Sequence, residues 1–363
     1  MGKERYIGIM SGTSLDGVDV VLCRVDAQEC ILEASYEHPF PSRLKEEILH
    51  TLSASVTLQQ IGSLDHRLGA LFAQAAVHLL EKEKIDPHTV AAIGSHGQTL
   101  WHEPQGSVPF TMQLGDPTLI AAHTGIDVVS DLRRIDMAYG GSGAPLAPAF
   151  HRFIFQNIKS PFAVVNIGGI ANITLLGEET IGYDTGPGNM LMDAWISKYK
   201  GIGYDKEGAW AREGEVDYTL LDTMMNDPYF AQPIPKSTGR EKFNLGWLES
   251  IQHLAFGVEK VIQPVDIQRT LLELTALSIS NEVLKCAPGI LMLCGGGAQN
   301  SFLVERIAAL MPNVQVGVME HADMLEAMMM AWLAYKRVHK EPVILKDVTG
   351  ATKDAVLGAL YIA

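Results

Sequence analysis

Three short glycine-containing segments carry residue types that bind phosphate groups. The first is GIMSGTSLDGVDVV, from Gly8 to Val21, in which hydroxyls and two aspartates stand between apolar runs. The others contain Gly168–Gly169 and Gly295–Gly297. Glycines let backbone N–H groups point at an anion, and serine and threonine hydroxyls add donors. Any one of these segments alone is more readily a plain turn, but three of them, each between a strand and the next element, favour a nucleotide site.

The common phosphate-binding motifs are absent from the sequence. No GxxxxGK[ST] occurs, which excludes a P-loop enzyme, and no GxGxxG follows a strand, so a dinucleotide-binding fold is unsupported. The sequence GTSLDG is one residue too long for the GxSxG nucleophile elbow. This spacing disfavours Ser14 as the nucleophile of a hydrolase.

Carboxylates supply a second kind of chemistry. Asp184 stands just before Thr-Gly-Pro-Gly, at the end of a predicted strand, where ligands of open α/β sheets bind. It could equally cap the following helix. Asp16 and Asp19 are candidates for Mg²⁺ binding through water, although Asp16 could instead only stabilise the turn. Asp19 falls within a predicted strand, where an acid is unfavourable unless it faces a cleft.

Length and composition indicate a globular protein of two domains without a nucleic-acid partner. The chain has 363 residues, of which 47% are hydrophobic, and a formal net charge of −14. No Lys/Arg run exceeds two residues, and no apolar stretch reaches the roughly 20 residues that span a bilayer. The N-terminus lacks the apolar core of a signal peptide. The cysteines form no zinc-binding spacing, so we expect reduced thiols in the cytoplasm.

Strands alternating with helices predict an α/β fold. Two hairpins stand out: one joins the predicted strands Tyr6–Met10 and Val18–Val25, and the other lies within Phe162–Leu176. Helical periodicity covers Asp266–Lys285, and a Met-rich amphipathic helix with core packing is predicted near the C-terminus. The repeated hairpins suggest two related halves. We expect one domain to comprise residues 1–127 and about 340–363, and the other to comprise residues 128–339 with a loop-rich insertion at about 204–243.

Six segments, in this order, resemble a known family. They are GIMSGTSLDGVD, SHGQT followed by WH, NIGGIAN, GYDTGPGNMLMDAW, PKSTGRE followed by FN, and LCGGGAQN. The chain resembles the anhydro-N-acetylmuramic acid kinases, which belong to the actin/hexokinase/Hsp70-like ATPase superfamily. The resemblance implies two actin-like (ribonuclease H-like) domains around a nucleotide cleft. It also implies ATP, Mg²⁺ and a sugar substrate that has an internal 1,6-anhydro bridge.

The resemblance assigns roles to the residues described above. Asp184 is expected to be the catalytic base, and Mg²⁺ is expected at Asp16 and Asp19. The nucleotide is expected to bind Gly12, Thr13, Ser14, Leu15, Asp16, Gly17, Val18, Asp19, Gly168, Gly169, Gly295, Gly296 and Gly297.

A further set of polar residues is expected at the sugar. It consists of His96, Gln98, Thr99, Arg133, Arg134 and Glu326. A guanidinium fork suits the lactyl carboxylate of muramic acid, although an Arg pair is also common in a solvated loop. The segment Gly317–Met328 departs from the family pattern, which leaves the role of Glu326 open. His96 and His102 lack a third nearby ligand, which disfavours a metal site there.

The expected activity is a sugar kinase reaction coupled to opening of the anhydro bridge. The product would be N-acetylmuramic acid 6-phosphate, formed in peptidoglycan recycling and amino sugar metabolism. The family also implies a homodimer. Two alternatives stay open from the residues: a non-enzymatic ATP-dependent switch, and a plain glycosidase that uses the carboxylates alone.

Overall fold

The strands and helices are those of a computed structural model, which describes residues 2–12, 15, 17–158, 161–177, 180–257 and 262–363. Within these ranges the strands are β1 (Glu4–Met10), β2 (Gly17–Val25), β3 (Cys30–Pro39), β4 (Val90–Ser95), β5 (Gln98–Glu103), β6 (Phe110–Leu114), β7 (Val128–Ser130), β8 (Phe162–Ile167), β9 (Ile170–Leu176), β10 (Thr180–Pro187), β11 (Ile290–Cys294), β12 (Gln315–Val318) and β13 (Ala359–Tyr361). The helices are α1 (Ser42–Ser53), α2 (Leu58–Glu83), α3 (Pro117–Thr124), α4 (Arg134–Ala138), α5 (Ala147–Ile154), α6 (Met190–Lys200), α7 (Ala209–Glu213), α8 (Tyr218–Met225), α9 (Leu245–Phe256), α10 (Pro264–Cys286), α11 (Ser301–Leu310), α12 (Leu325–Val338) and α13 (Lys346–Thr349).

The chain forms two units whose sheets repeat one strand order. Unit 1 comprises Met1–Asn157 and Met324–Ala363, and unit 2 comprises Ile158–Asp323. The order in unit 1 is β13-β7-β4-β1-β2-β3, and in unit 2 it is β12-β11-β8-β9-β10. In each unit three antiparallel strands precede two that pair in parallel, β4 and β7 in unit 1 and β11 and β12 in unit 2. The repeat confirms the α/β class and the expectation of two related halves.

The Met-rich helix α12 is a core element of unit 1. Its residues from Ala327 to Tyr335 are all buried, so it is not amphipathic over this stretch. One side packs on β1 and β4, where a Cβ at Gly8 would overlap the Ala327 carbonyl and a Cβ at Gly94 would overlap the Met330 carbonyl. The glycines therefore allow the helix to lie close to the sheet. The predicted packing role of its methionines is confirmed.

Both boundaries between the units differ from the sequence expectation. Residues 128–157 belong to unit 1 because β7 lies between β4 and β13 in its sheet. Residues 324–339 also belong there, because α12 packs against β1 and β4. Strand pairing and helix packing over long sequence separations set these boundaries, and local composition does not report them.

The segment expected to be loop-rich, residues 204–243, contains the helices α7 and α8. Leu220, Leu221 and Met224 of α8 are buried, and both helices pack against α10. Residues Asn226 to Asn244, between α8 and α9, have the predicted irregular backbone. Among the described residues, no helix combines the length and apolar character that crossing a membrane requires.

Candidate functional site

Asp184 lies within β10, and the strand continues past it to Pro187. Its expected position at the end of the strand is therefore corrected: a register shift between Asp184 and Gly186 lets the pairing with β9 continue. β10 is an edge strand, so its outer backbone groups need other partners. Asp184 N donates to Lys236 O at 2.9 Å, and Asp184 O accepts from the Tyr229 hydroxyl at 2.7 Å. We call the segment that supplies these partners, residues 229–238, the strap.

The strap also holds the carboxylate of Asp184. Oδ2 accepts from Ser237 Oγ at 2.9 Å and from Thr238 N at 3.0 Å. The carboxylate is thus bonded to the strap and not to the first turn of α6, so the alternative of a helix cap is not supported. Within the described part of the chain, Oδ1 accepts no hydrogen bond. The described residues therefore fix the carboxylate through Oδ2.

The surroundings of Asp184 hold its pKa above the ordinary value. Burial raises the pKa of the carboxyl, the hydrogen bonds from Thr238 and Ser237 oppose this, and the charge of Glu241 adds to it. A carboxylate with a raised pKa and one unbonded oxygen is suited to accept a proton. Sequence reasoning assigned no role to Ser237 or Thr238, although they lie in the PKSTGRE motif.

The glycine turns of unit 2 come together at the ends of the parallel strands β8 and β11. Gly188 N donates to Gly169 O at 2.9 Å, and Asn189 N donates to Gly168 O at 2.8 Å. A Cβ at Gly297 would overlap the side chain of Ile167, the last residue of β8. These contacts join the Gly168–Gly169 turn, the start of α6 and the turn after β11.

Two of these glycines leave their backbones open. A Cβ at Gly169 would meet nothing nearer than Met190 Cβ at 3.7 Å, and one at Gly296 nothing nearer than Asn189 Nδ2 at 3.9 Å. A ligand can therefore approach both backbones, as phosphate cradles require. Asn189 and Asn166 border the same turns, since a Cβ at Gly295 would overlap Asn166 Oδ1. Asn166 lies in the NIGGIAN segment and Asn189 in the GYDTGPGNMLMDAW segment, but the sequence predicted no role for either.

The glycine-rich turn of unit 1 is described only in part. Thr13, Ser14 and Asp16 lie outside the described residues. Leu15 N donates to Gly12 O at 3.3 Å, and Leu15 is buried with a φ of 57°. Gly17 begins β2, where a Cβ would crowd the Glu37 side chain. Val18 is buried in the core, so Leu15 and Val18 anchor the turn through apolar contacts.

Asp19 is the described member of the expected Mg²⁺ pair. It is half-buried on β2, paired across the sheet with Met10 and Glu37. Mg²⁺ is commonly held by one or two carboxylates together with water and substrate phosphates, and Asp19 supplies one such carboxylate. Among the described residues, no three His, Cys, Asp or Glu side chains come together as a metal-binding group.

His96 and Arg133 are directly bonded in unit 1. His96 Nε2 accepts from Arg133 Nη2 at 2.9 Å and from Nε at 3.1 Å, and Nδ1 donates to Gly97 O at 2.9 Å. Burial and the charge of Arg133 lower the pKa of His96 to about 3, so the ring is neutral near pH 7. Both ring nitrogens are occupied, and His96 orients the guanidinium of Arg133.

Glu326 and Arg133 influence one another through their charges, whereas Arg134 pairs elsewhere. Desolvation by the surrounding protein raises the pKa of Glu326, and the charge of Arg133 opposes the rise. Burial lowers the pKa of Arg133 to about 10, and Glu326 opposes this shift. Arg134 instead pairs with Asp131 at 2.9 Å, with 66% of its side chain exposed. The structure thus joins His96 and Arg133 by hydrogen bonds, and Glu326 acts on Arg133 through its charge.

Gln98 and Thr99 are engaged with neighbouring polar residues. Gln98 is buried and its Oε1 accepts from Ser11 Oγ at 2.7 Å, which ties β5 to the residue after β1. Thr99 Oγ1 accepts from Gln113 Nε2 at 3.2 Å across the β5–β6 pair. Gln98 therefore positions the start of the glycine-rich turn of unit 1.

Solved structures of low similarity cover most of the chain. A ROK family glucokinase from Streptomyces griseus is 12% identical, with a TM-score of 0.42, over 92% of this chain and 99% of that one. Component A of the (R)-2-hydroxyglutaryl-CoA dehydratase of Acidaminococcus fermentans is 14% identical, with a TM-score of 0.44, over 93% and 100% of the two chains.

Curated relatives are far more similar in sequence. An anhydro-N-acetylmuramic acid kinase from Sulfurovum sp. is 61% identical over 362 residues, covering 100% of both chains. One from Aliivibrio fischeri is 49% identical over 370 residues, covering 99% of this chain and 100% of its own. The family model described as anhydro-N-acetylmuramic acid kinase matches residues 4–363. By these matches the chain belongs to the anhydro-N-acetylmuramic acid kinase family.

Proposed function

We propose that this protein opens the 1,6-anhydro bridge of anhydro-N-acetylmuramic acid with water and transfers the γ-phosphoryl group of ATP to O6. The products are N-acetylmuramic acid 6-phosphate and ADP. Membership of a kinase family supports the reaction class. The observation that carries the chemistry is the carboxylate of Asp184, which is held through Oδ2 and accepts no bond at Oδ1 from the residues that the structure describes.

Asp184 is the proposed general base. The substrate has no free 6-hydroxyl, because O6 is bonded to C1. Water attacks C1, its proton passes to Asp184 Oδ1, and the C1–O6 bond breaks. O6 then takes the γ-phosphoryl group, so the leaving oxygen needs no proton. Ordinary glycosidases use two carboxylates for this purpose.

The nucleotide is proposed to contact the open glycine backbones. Gly169 and Gly296 of unit 2 have room for a ligand, and the turn after β1 carries the residues expected at the phosphates. Asp19 is the proposed protein ligand of Mg²⁺, together with Asp16. When bound, Mg²⁺ would spread the negative charge of the phosphoryl group.

The sugar is proposed to bind beside the group of His96, Arg133 and Glu326. Arg133 is already oriented by His96 and by Gly143 O, which accepts from Nη1 at 2.7 Å. Its charge suits the lactyl carboxylate. Gln98, Thr99 and Arg134 stay predicted sugar contacts, although all three have protein partners.

A role in cytoplasmic peptidoglycan recycling and a homodimeric state also stay predictions. The first follows from the chemistry of the proposed substrate, a sugar of the bacterial cell wall. Sedimentation of the purified chain would test the second.

The proposal is tested by measuring ADP release and sugar phosphate formation with and without the anhydro sugar. We expect ADP release to depend steeply on the sugar and to match the 6-phosphorylated product in amount. ADP release without the sugar would instead indicate an ATP-dependent switch. Bridge opening without ATP would indicate a plain glycosidase.

Replacing Asp184 tests its role as the base. We expect Asp184→Asn to bind ATP and keep the fold but to lose turnover by about 10²- to 10⁴-fold, the usual contribution of a general base. Circular dichroism and equilibrium dialysis of ATP are the controls. Near-normal turnover would remove Asp184 from this role.

A further inference from the structure

The ammonium group of Lys236 is buried beneath the strap. Its side chain is 1% exposed, and Nζ donates to Glu282 Oε1 at 2.7 Å, to Phe230 O at 3.2 Å and to Tyr229 O at 3.5 Å. A buried lysine is costly unless its charge and its donors are satisfied. Through these three bonds Lys236 connects the start of the strap, Tyr229 and Phe230, to Glu282 in the helix α10.

We call the ion pair of Lys236 and Glu282 the anchor, and Glu282 is the member of it that belongs to a helix. It is buried in α10, and its Oε2 accepts from the Tyr183 hydroxyl at 3.1 Å and from Lys285 Nζ at 2.8 Å. Burial works to raise the pKa of Glu282, but the bonds from Lys236 and Lys285 outweigh it and hold the pKa low. The carboxylate is therefore charged and bonded through both oxygens.

Lys236 is adjacent in sequence to the residues that hold Asp184. Its carbonyl accepts from Asp184 N, and Ser237 and Thr238 donate to Asp184 Oδ2. We propose that Lys236, fixed by Glu282, is a positioning residue for Asp184: it holds the strap so that Oδ2 is bonded and Oδ1 stays available as the proton acceptor. This inference rests on the proposed function, in which Asp184 is the base.

The effect of the anchor on Asp184 has a definite sign. The titratable or charged groups around Asp184 are Tyr229 and Glu241, with Lys236 and Glu282 behind the strap. The bonds from Ser237 and Thr238 stabilise the ionised carboxylate. Loosening the strap weakens these bonds, and the burial that remains then raises the pKa of Asp184 further.

The test compares Lys236→Met with the double variant Lys236→Met/Glu282→Gln. The double variant avoids an unpaired buried charge, which by itself would destabilise the protein. Lys285→Met is the matched control, because Lys285 also bonds Glu282 but has a half-exposed side chain and no bond to the strap. The acid limb of kcat/KM, kcat and the KM for the sugar are measured for each folded variant.

We expect the double variant to move the acid limb to higher pH and to lower kcat at least about tenfold, because general-base geometry is lost. The KM for the sugar should stay within about threefold. Lys285→Met should change neither the acid limb nor kcat. If Asp184→Asn is inactive, an unchanged acid limb in the folded double variant overturns the proposal, as does an equal effect of Lys285→Met. Failure of both Lys236 variants to fold also overturns it, because the ion pair is then a stability element only.

A readout independent of turnover separates this inference from the proposed function. The carboxyl carbon of Asp184 is followed by ¹³C NMR against pH and is identified by its loss in Asp184→Asn. A higher pKa in the double variant supports the positioning role even if Asp184→Asn keeps its turnover, in which case only the assigned base fails. An unchanged carboxyl pKa overturns the positioning role while the assigned base stands.

Discussion

Asp184 is held through its backbone and its side chain at once, and its pKa is raised by the same surroundings. A raised pKa means that folding favours the protonated form. Between the ordinary and the raised pKa, the folded state therefore binds more protons than the unfolded state, and stability falls as pH rises. At neutral pH the carboxylate is ionised, as a general base must be. This ionisation lowers the free energy of unfolding.

Asp184→Asn should therefore be more stable than the wild type near pH 7. Asparagine is neutral, and its oxygen can still accept from Ser237 and Thr238. The difference in melting temperature should shrink as pH falls below the ordinary aspartate pKa of about 3.9, where both states of the wild type are protonated. Thermal unfolding of both proteins at pH 7 and pH 3.5 measures this. A variant that is less stable at pH 7 would contradict it.

His96 should affect stability with the opposite sign. Its pKa is about 3 in the folded protein against an ordinary value of 6.5, because of burial and the charge of Arg133. Between these values the unfolded state binds the extra proton, so stability falls as pH decreases. We expect the free energy of unfolding, measured with urea across this range, to depend less steeply on pH in His96→Gln. The difference in slope corresponds to the uptake of up to one proton on unfolding. Parallel curves for the two proteins would show that His96 carries no such linkage.

At the scale of elements, two backbone features hold the surroundings of Asp184 and of the Gly168–Gly169 turn: a sheet edge and a close approach of two glycines. Among the described strands, none pairs with the outer side of β10, and the strap takes that place at Asp184. Just after the end of the same strand, Gly188 lies so close to the Gly168 carbonyl that a Cβ would overlap it.

Gly188→Ala should disturb the Gly168–Gly169 turn. Inserting a methyl group into a packed site costs about 1–3 kcal/mol and shifts the backbone. If this turn contacts the nucleotide as proposed, the KM for ATP should rise at least about tenfold, since one tenfold step is about 1.4 kcal/mol. Gly203→Ala is the control, because a Cβ there meets nothing within 4 Å. Equal KM values for ATP in the two variants would contradict the contact.

At the scale of the whole molecule, the repeated sheet is the main result. Units 1 and 2 share a strand order although their hairpins differ in sequence, GIMSGTSLDGVDVV against NIGGIANITLL. The same order of strands thus occurs with an acid-containing segment between β1 and β2 and with a Gly-Gly segment between β8 and β9.

Ligands of the proposed reaction should stabilise the whole chain by mass action. A ligand that binds only the folded state adds about 2.7 kcal/mol at 100 times its Kd. Scanning fluorimetry should show a saturable rise in melting temperature with a non-hydrolysable ATP analogue, and a further rise with the anhydro sugar. N-acetylglucosamine, which lacks the lactyl carboxylate, is the control. No shift with either proposed ligand would contradict the proposed function.

The sequence predicted those elements that have strong local patterns. β1, β2 and α10 follow apolar runs and helical spacing, and their bounds agree closely with the prediction. β3 was missed because its side chains alternate only between half-buried and exposed, as an edge strand allows. The α7–α8 segment was also missed, since its helices are short and their burial depends on α10.

The amino-acid sequence alone determined the family, the two-hairpin plan and Asp184 as the candidate base, because motifs and periodicity are local properties. Only the tertiary structure decided what surrounds that base. Lys236, Ser237 and Glu282 lie from 52 to 98 positions beyond Asp184 in the chain, and strand pairing and burial bring them to it. The orientation of Arg133 by His96 likewise arises from contacts between distant residues.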